Sequence, residues 1–243
     1  MNTLCVIPAR YASTRLPGKP LADIAGKPMI QHVYERASLA KLPSIVLVAT
    51  DHAGVQAAVQ SFGGQVVMTS PQHRTGTDRL AEVAALYPKV DIIINVQGDE
   101  PLIDPQLIDD LAAALIDDPA LVMATVMTPL KEPEYHDDNV VKVVTDLQGY
   151  ALYFSRSLIP FLRNAPKCSV YKHIGLYAYR RDFLLAFAKL EQTPLEQTES
   201  LEQLRALEHG YKIKVLPTAC APVGVDTPED LIRVREIIQG GAL

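Results

Sequence analysis

The 243-residue chain is 48% hydrophobic and 21% charged, a soluble globular balance long enough to bury one substantial core. A net charge of −5 excludes a global field that would gather a polyanion, so no nucleic-acid partner is expected and any bound anion needs a local site. The apolar runs fall far short of the roughly 18–20 residues that span a bilayer, no basic segment precedes the first of them, and Cys5, Cys168 and Cys220 are too scattered for disulfides or zinc. A cytoplasmic protein without membrane insertion is expected.

Along the first half, "TLCVI" (3–7), "SIVLVAT" (44–50), "GQVVM" (64–68) and "VDIIINV" (90–96) read as strands, since their apolar character is nearly continuous. Helical patterns near 29–40, 53–61, 77–86 and 105–116 alternate with them, and that order predicts an α/β fold, a Rossmann-like three-layer arrangement around a mostly parallel sheet. After residue 121 the rhythm changes. "LVMATVMTPL", "VVKVVTDLQGYALYFSR" and the period-two "SVYKHIGLYAYR" predict strands joined by short turns, followed by helices at 181–189 and 195–208. A strand "KIKVL" and a last helix opened by Thr227, Pro228 and Asp230 close the chain. The expected division is a core of residues 1–126 and 211–243, with an inserted antiparallel-strand and helix subdomain at 127–210.

The loop "IPARYASTRLPGKPL" leaves the carboxyl end of the first strand, where open α/β sheets bind their ligands. It carries Arg10, Arg15 and Lys19 among three prolines that exclude a continuous helix, so an ordered loop can turn all three inward on a triphosphate. No Walker A pattern is present. Lys27, in a second "GKP", lies farther from the strand end and is read as structural, with Lys19 favoured as the phosphate lysine. "NVQGDEP" puts Asp99 at another strand's carboxyl end, and "PVGVDTPEDL" puts Asp226 at the last helix. Each has a plain alternative, a turn aspartate or favourable helix electrostatics, but as a pair they suit Mg²⁺, which takes one or two carboxylates plus phosphate oxygens and water.

R-x-x-S-x-R-L-P-x-K (10–19), "HRTGTDR" (73–79), "NVQGDEP" (95–101), "YFSRSLIP" (153–160), "HIGLYAYR" (173–180), "LEQLRALE" (201–208) and "GVDTPEDL" (224–231) together resemble the CMP-sugar synthetases, a nucleotidyltransferase family, from the first residue to the last helix. The resemblance implies a nucleotidyltransferase fold, a homodimer with the inserted subdomain at its interface, and transfer of a cytidylyl group from CTP to an acid sugar of the 3-deoxy-octulosonate (Kdo) type. It implies that Arg10, Ser13, Arg15 and Lys19 hold the CTP phosphates, that Asp99 and Asp226 hold Mg²⁺, and that Arg74, Thr75 and Arg79 lie near the nucleotide. At position 74 the family often has glutamine. Gln97, His173, Tyr177, Glu202 and Gln203 are the implied sugar ligands, with Arg156 toward the sugar carboxylate.

Some of these residues also have plainer readings. Period two puts Tyr171, His173, Gly175, Tyr177 and Tyr179 on one face, with His173 and Tyr177 about 13 Å apart across a gap left by Gly175. His173 is alternatively a buried structural histidine, Arg79 a surface partner of Glu82, and Glu202 a solvated partner of Arg205 off the Leu201, Leu204, Leu207 stripe. Rival functions are transfer to another acid sugar (8-amino-Kdo or a sialic acid), use of UTP, or non-catalytic nucleotide binding.

Overall fold

The computed structural model describes residues 1–12, 16–73, 75–164, 169–220 and 222–241. Strand β1 (Thr3–Ala9) sends alternate side chains to opposite layers: Cys5 and Ile7 join one apolar cluster, Leu4 and Val6 the other, and all four are fully buried. A strand covered on both faces needs apolar side chains at every position, which explains the unbroken run. Each such aliphatic side chain contributes about 1.5–3 kcal/mol on burial.

Around β1 the main sheet runs in the order β11 (Lys214–Pro217), β7 (Met123–Pro129), β10 (Tyr171–Arg180), β6 (Ile92–Asn95), β1, β4 (Ile45–Thr50), β5 (Val66–Met68). Strand β10 is antiparallel to both neighbours, and the other pairs along this path are parallel. A two-residue pair, β2 (Asp23–Ile24) and β3 (Lys27–Pro28), leads into α1 (Met29–Ala37). On one face of the sheet, α1, α2 (Ala53–Ser61) and α4 (Pro105–Asp117) supply Ile30, Val55 and Leu111 to the core. On the other, α3 (Gly76–Leu86) and α5 (Arg181–Phe187) supply Leu80, Val83 and Phe187. Among the described residues no helix is long and apolar enough to cross a membrane.

Of the segment expected as an insertion, 127–210, the strand β10 lies inside the main sheet between β6 and β7. Its alternation is aliphatic against aromatic, since Ile174, Leu176 and Ala178 enter one core layer and Tyr177 and Tyr179 the other. The hairpin of β8 (Lys142–Thr145) and β9 (Ala151–Ser155) stands off the seven-strand path, attached through Tyr171 opposite Val143. Its base is fastened by Lys142, whose buried ammonium donates to the carbonyls of Asp137 and Arg156.

The helix expected at 195–208 is two helices, α6 (Pro194–Glu199) and α7 (Gln203–Glu208), parted at Ser200, which takes a left-handed φ of 52°. The break is held from inside by Arg205, which reaches back to Glu196 through two bonds of 2.8 and 2.5 Å in the buried interior. The final helix α8 (Pro228–Gln239) starts as expected: Thr227 accepts from the Asp230 amide, and Asp230 caps back.

Candidate active site

The loop after β1 is shaped by Gly18, whose φ of 69° is strained for any residue with a Cβ. Its amide reaches the Tyr11 carbonyl, and the Tyr11 ring packs over it and stacks on His52, the N-cap of α2, at 3.8 Å. Lys19 follows at once, in a 3-10 turn (Lys19–Leu21). Its ammonium donates to Asp99 Oδ2 at 2.5 Å and to Asp226 Oδ1 at 2.9 Å. Burial draws the Lys19 pKa down, but the two carboxylates outweigh it and leave the group above its ordinary value. The cation read from the first loop and the two acids read from distant segments therefore meet at one point.

Two backbone features bring them there. A Cβ on Gly98 would lie 2.7 Å from the Pro8 carbonyl, so only glycine lets the loop after β6 cross the end of β1 this closely. The Val225 amide then donates to the Asp99 carbonyl at 2.8 Å, fastening the segment before α8 to the loop that carries Asp99. Next to Asp99, burial and then the Asp99 charge push the Glu100 carboxyl up to about 8, so Glu100 adds little negative charge at neutral pH.

Lys19, Gly98, Asp99 and Asp226 line a cleft of about 360 Å³ with Arg10, Gln97 and Gly76. Arg10 carries a buried Nη2 with no partner; burial, then the charge of Arg79, lowers its pKa. Guanidinium groups in this state attract an anion strongly. For Mg²⁺, two carboxylates close enough to share one ammonium are a fitting donor set. No larger group of His, Cys, Asp or Glu converges among the described residues, so the remaining ligands would come from phosphate and water.

Behind Gln97 a second cavity of about 200 Å³ opens between α3 and β10 and shares Gly76 and Gln97 with the cleft. Glu202 and Gln203 line it at the start of α7, with Tyr177 and Thr77. Thr77 donates to Glu202 Oε2 at 2.7 Å, while Glu202 Oε1 and Gln203 Nε2 are buried without hydrogen bonds, Oε1 lying 3.5 Å from the Arg205 guanidinium. Burial outweighs the Thr77 bond and the nearby Arg205 charge, and the Glu202 pKa is raised.

A charged cleft joined to a polar-walled pocket accounts for a phosphorylated ligand and a neighbour. The sequence family supplies the rest: the cytidylyltransferase family model matches residues 4–213. The chain belongs to the cytidylyltransferases. It is 56% identical over 248 residues to the 3-deoxy-manno-octulosonate cytidylyltransferase of Geobacter sulfurreducens, covering 97% of this chain and 99% of that one. It is 52% identical to the protein of the same description from Solibacter usitatus, covering 99% and 96%. The solved structure of CMP:2-keto-3-deoxy-manno-octonic acid synthetase complexed with CTP matches with a TM-score of 0.96 at 49% identity, over 99% of this chain and 100% of that one. A cytidylyltransferase structure from Leptospira borgpetersenii, at 18% identity and a TM-score of 0.64, shares the fold.

In this cytidylyltransferase several candidate residues stand away from the two cavities. Ser13, Arg15 and Arg74 lie outside the described residues. Thr75 is the N-cap of α3, exchanging bonds with Asp78. Arg79 is fully buried rather than on the surface, donating to Asp51 at 2.7 Å and to Thr69; the expected partner Glu82 pairs with His73. Arg156 is occupied by the carbonyls of Glu199 and Asp138, both at 2.8 Å. Lys27 pairs with Glu35 at the surface, a structural role as read.

The gap expected at Gly175 is closed. The register of β10 against β7 slips between Ile174 and Tyr177, and the rings of His173 and Tyr177 touch, with centroids 5.3 Å apart. His173 also packs edge-on against Phe154. Thr125 bridges the slip: its hydroxyl faces the carbonyls of Ile174 and Leu176 and the His173 Nε2 at 3.0 Å. Burial keeps the ring neutral, and its Nε2 shares a hydrogen bond with the Thr125 hydroxyl. Glu202 is neither solvated nor chiefly paired with Arg205, which lies 3.5 Å away; its nearer partner is Thr77. Sequence reasoning passed over Thr77, Thr125, Thr69 and Asp51. Thr77 had a signal, since it sits in "RTGTDR" beside the helix start, while the others are single residues whose importance depends on register.

Proposed function

We propose that this chain transfers the cytidylyl group of CTP to 3-deoxy-D-manno-octulosonate (Kdo), releasing diphosphate and CMP-Kdo, the activated sugar for lipopolysaccharide biosynthesis. The observation that carries the reading is the continuity of the two cavities at Gly76 and Gln97, which sets a polar pocket beside an ionic cleft. An acceptor held in the pocket would reach a triphosphate held in the cleft.

In the reaction the anomeric C2 oxygen of the sugar bonds to the α-phosphorus, the bond from phosphorus to the diphosphate oxygen breaks in line, and the hydroxyl proton passes to solvent. No covalent enzyme intermediate is needed. Arg10, Ser13, Arg15 and Lys19 bind the phosphates, and Arg10 and Lys19 meet the charge that grows on the departing diphosphate. Arg74, Thr75 and Arg79 shape the nucleotide side, Arg79 from beneath through Asp51. Gln97, Tyr177, Glu202 and Gln203 orient the sugar, with His173 behind Tyr177. Asp99 and Asp226 would hold Mg²⁺, which when bound offsets triphosphate charge and activates the acceptor hydroxyl. Lys19 then turns from the carboxylates to the phosphates.

We also read the protein as a cytoplasmic homodimer whose contact includes the strongly exposed Phe161 and Leu152; sedimentation of the wild type against Phe161→Ser checks this. The test of function is diphosphate release by the purified protein with each pairing of CTP or UTP with Kdo, 8-amino-Kdo or a sialic acid. Release with CTP and Kdo, abolished by a chelator and restored by Mg²⁺, is expected. CTP binding by calorimetry without diphosphate release from any pairing would make the chain a nucleotide-binding regulator.

A further inference from the structure

Strand β6 reads Ile92–Ile93–Ile94–Asn95, and the last residue breaks its pattern. Asn95 has the same parity as Ile93, so its side chain faces the layer containing Leu80, Tyr177, Tyr179 and Phe187, where an aliphatic residue would pack without polar cost. It lies opposite Tyr177 across β10 and beside Val6 on β1, and is 4% exposed. Its Oδ1 is buried without a partner, and no hydrogen bond engages the amide nitrogen among the described residues. A buried carboxamide oxygen left without a partner destabilises the fold, and buried polar groups in folded proteins otherwise find partners.

The side chain borders the 200 Å³ cavity, as do Glu202 and Gln203; Gln203 Nε2 is likewise buried without a hydrogen bond, and Glu202 Oε1 makes none but lies 3.5 Å from the Arg205 guanidinium. Three polar side chains lining one small cavity match a ligand with several hydroxyls. Glu202 and Gln203 line it from the start of α7. Asn95 alone comes from the sheet and offers an acceptor and a donor from one planar group. The geometry points to Asn95 as a further specificity-determining residue, reading one hydroxyl of the polyol acceptor from the sheet side of the pocket. This rests on the sugar-transfer reading above. It also gives a reason for an asparagine in place of a fourth aliphatic: stability is given up in the free enzyme for recognition in the complex.

The test uses Asn95→Leu, close in shape but without polar atoms, and Asn95→Ala, which fits without crowding. Both are measured as full-length enzymes. Expected are a melting temperature for Asn95→Leu at or above that of the wild type, an unchanged KM for CTP, and a KM for Kdo raised at least tenfold in both variants. Kinetics with singly deoxygenated Kdo analogues should show that the wild type discriminates against one of them and that Asn95→Leu does not. A structural role would instead lower the melting temperature and leave discrimination intact. Unchanged Kdo KM in both variants, or unchanged discrimination against every analogue, overturns the assignment. Absence of diphosphate release by the wild type would overturn the sugar-transfer reading instead, so the two failures are distinct.

Discussion

In the ionic cleft Lys19 stands between Asp99 and Asp226, so charges that a ligand will later use are satisfied by one another in the free protein. In the adjoining pocket Asn95 and Gln203 each keep a buried polar atom without a hydrogen bond. The cleft is assembled from loops at three strand ends and α8, whereas the pocket is cut into the sheet and the start of α7. The difference teaches where preorganisation comes from. The carboxylates and Lys19 on the loops hold one another in position, while the uncharged Asn95 and Gln203 on rigid elements are held by the surrounding core.

The largest expected effect tests the charged half. Asp99→Asn leaves the hydrogen-bonding shape but halves the negative charge facing Lys19. Diphosphate release should fall by about 10³-fold, the scale of losing a main electrostatic contributor. Melting temperature should change little, because the pair is partly solvent-exposed. Normal turnover by this variant would remove Asp99 from the chemistry and with it the contrast between the two cavities. Next in size is Gly98→Ala, which attacks the crossing of β1 and the β6 loop. Its methyl would meet a backbone carbonyl that cannot swing away, so a loss of about 3 kcal/mol in denaturant unfolding is expected. A variant as stable as wild type would mean the loop passes β1 at a greater distance.

A smaller effect separates the halves. Thr77→Val keeps the shape of the side chain and removes the hydroxyl bonded to Glu202. Freed from it, Glu202 should place the sugar less well, raising the Kdo KM about tenfold, the equivalent of one hydrogen bond of about 1.4 kcal/mol. The CTP KM should not move. A parallel rise in both would show that cleft and pocket respond as one unit.

The same division governs what the sequence reveals. Arg10, Lys19, Asp99 and Asp226 were legible because charged residues at strand ends and helix starts carry positional information without coordinates, and because Gly98 and Thr227 flag the turns that aim them. The parallel core was legible for a related reason: strands buried on both faces have no other way to read. The pocket was not. Its walls depend on the register slip in β10, which turns an expected opening between His173 and Tyr177 into a ring contact, and on the break at Ser200, which sets Glu202 and Gln203 at a helix start. Neither leaves a periodic mark. Ser200 has the composition of any helix surface, and the slip is supported by Thr125, a lone polar residue on another strand.

The last and smallest effect concerns His173, at the edge of the pocket. Burial pushes its pKa down to about 3, and the Thr125 hydroxyl, 3.0 Å from Nε2, bonds the neutral ring without needing the charged form. Unfolding frees the ring to take a proton near the ordinary histidine value of about 6.5. The unfolded chain therefore binds the proton first as pH falls, so the stability conferred by neutral His173 is complete above about pH 6.5 and declines between there and about pH 3. The decline is at most about 1.4 kcal/mol per pH unit. His173→Gln keeps a donor toward Thr125 and cannot titrate. Between pH 6.5 and 5, before most carboxylates protonate, its unfolding free energy should fall less steeply than that of the wild type. Parallel slopes would mean that the histidine accepts its proton inside the fold, which requires an open path to water beside Tyr177 and would restore the gap that the ring contact now fills.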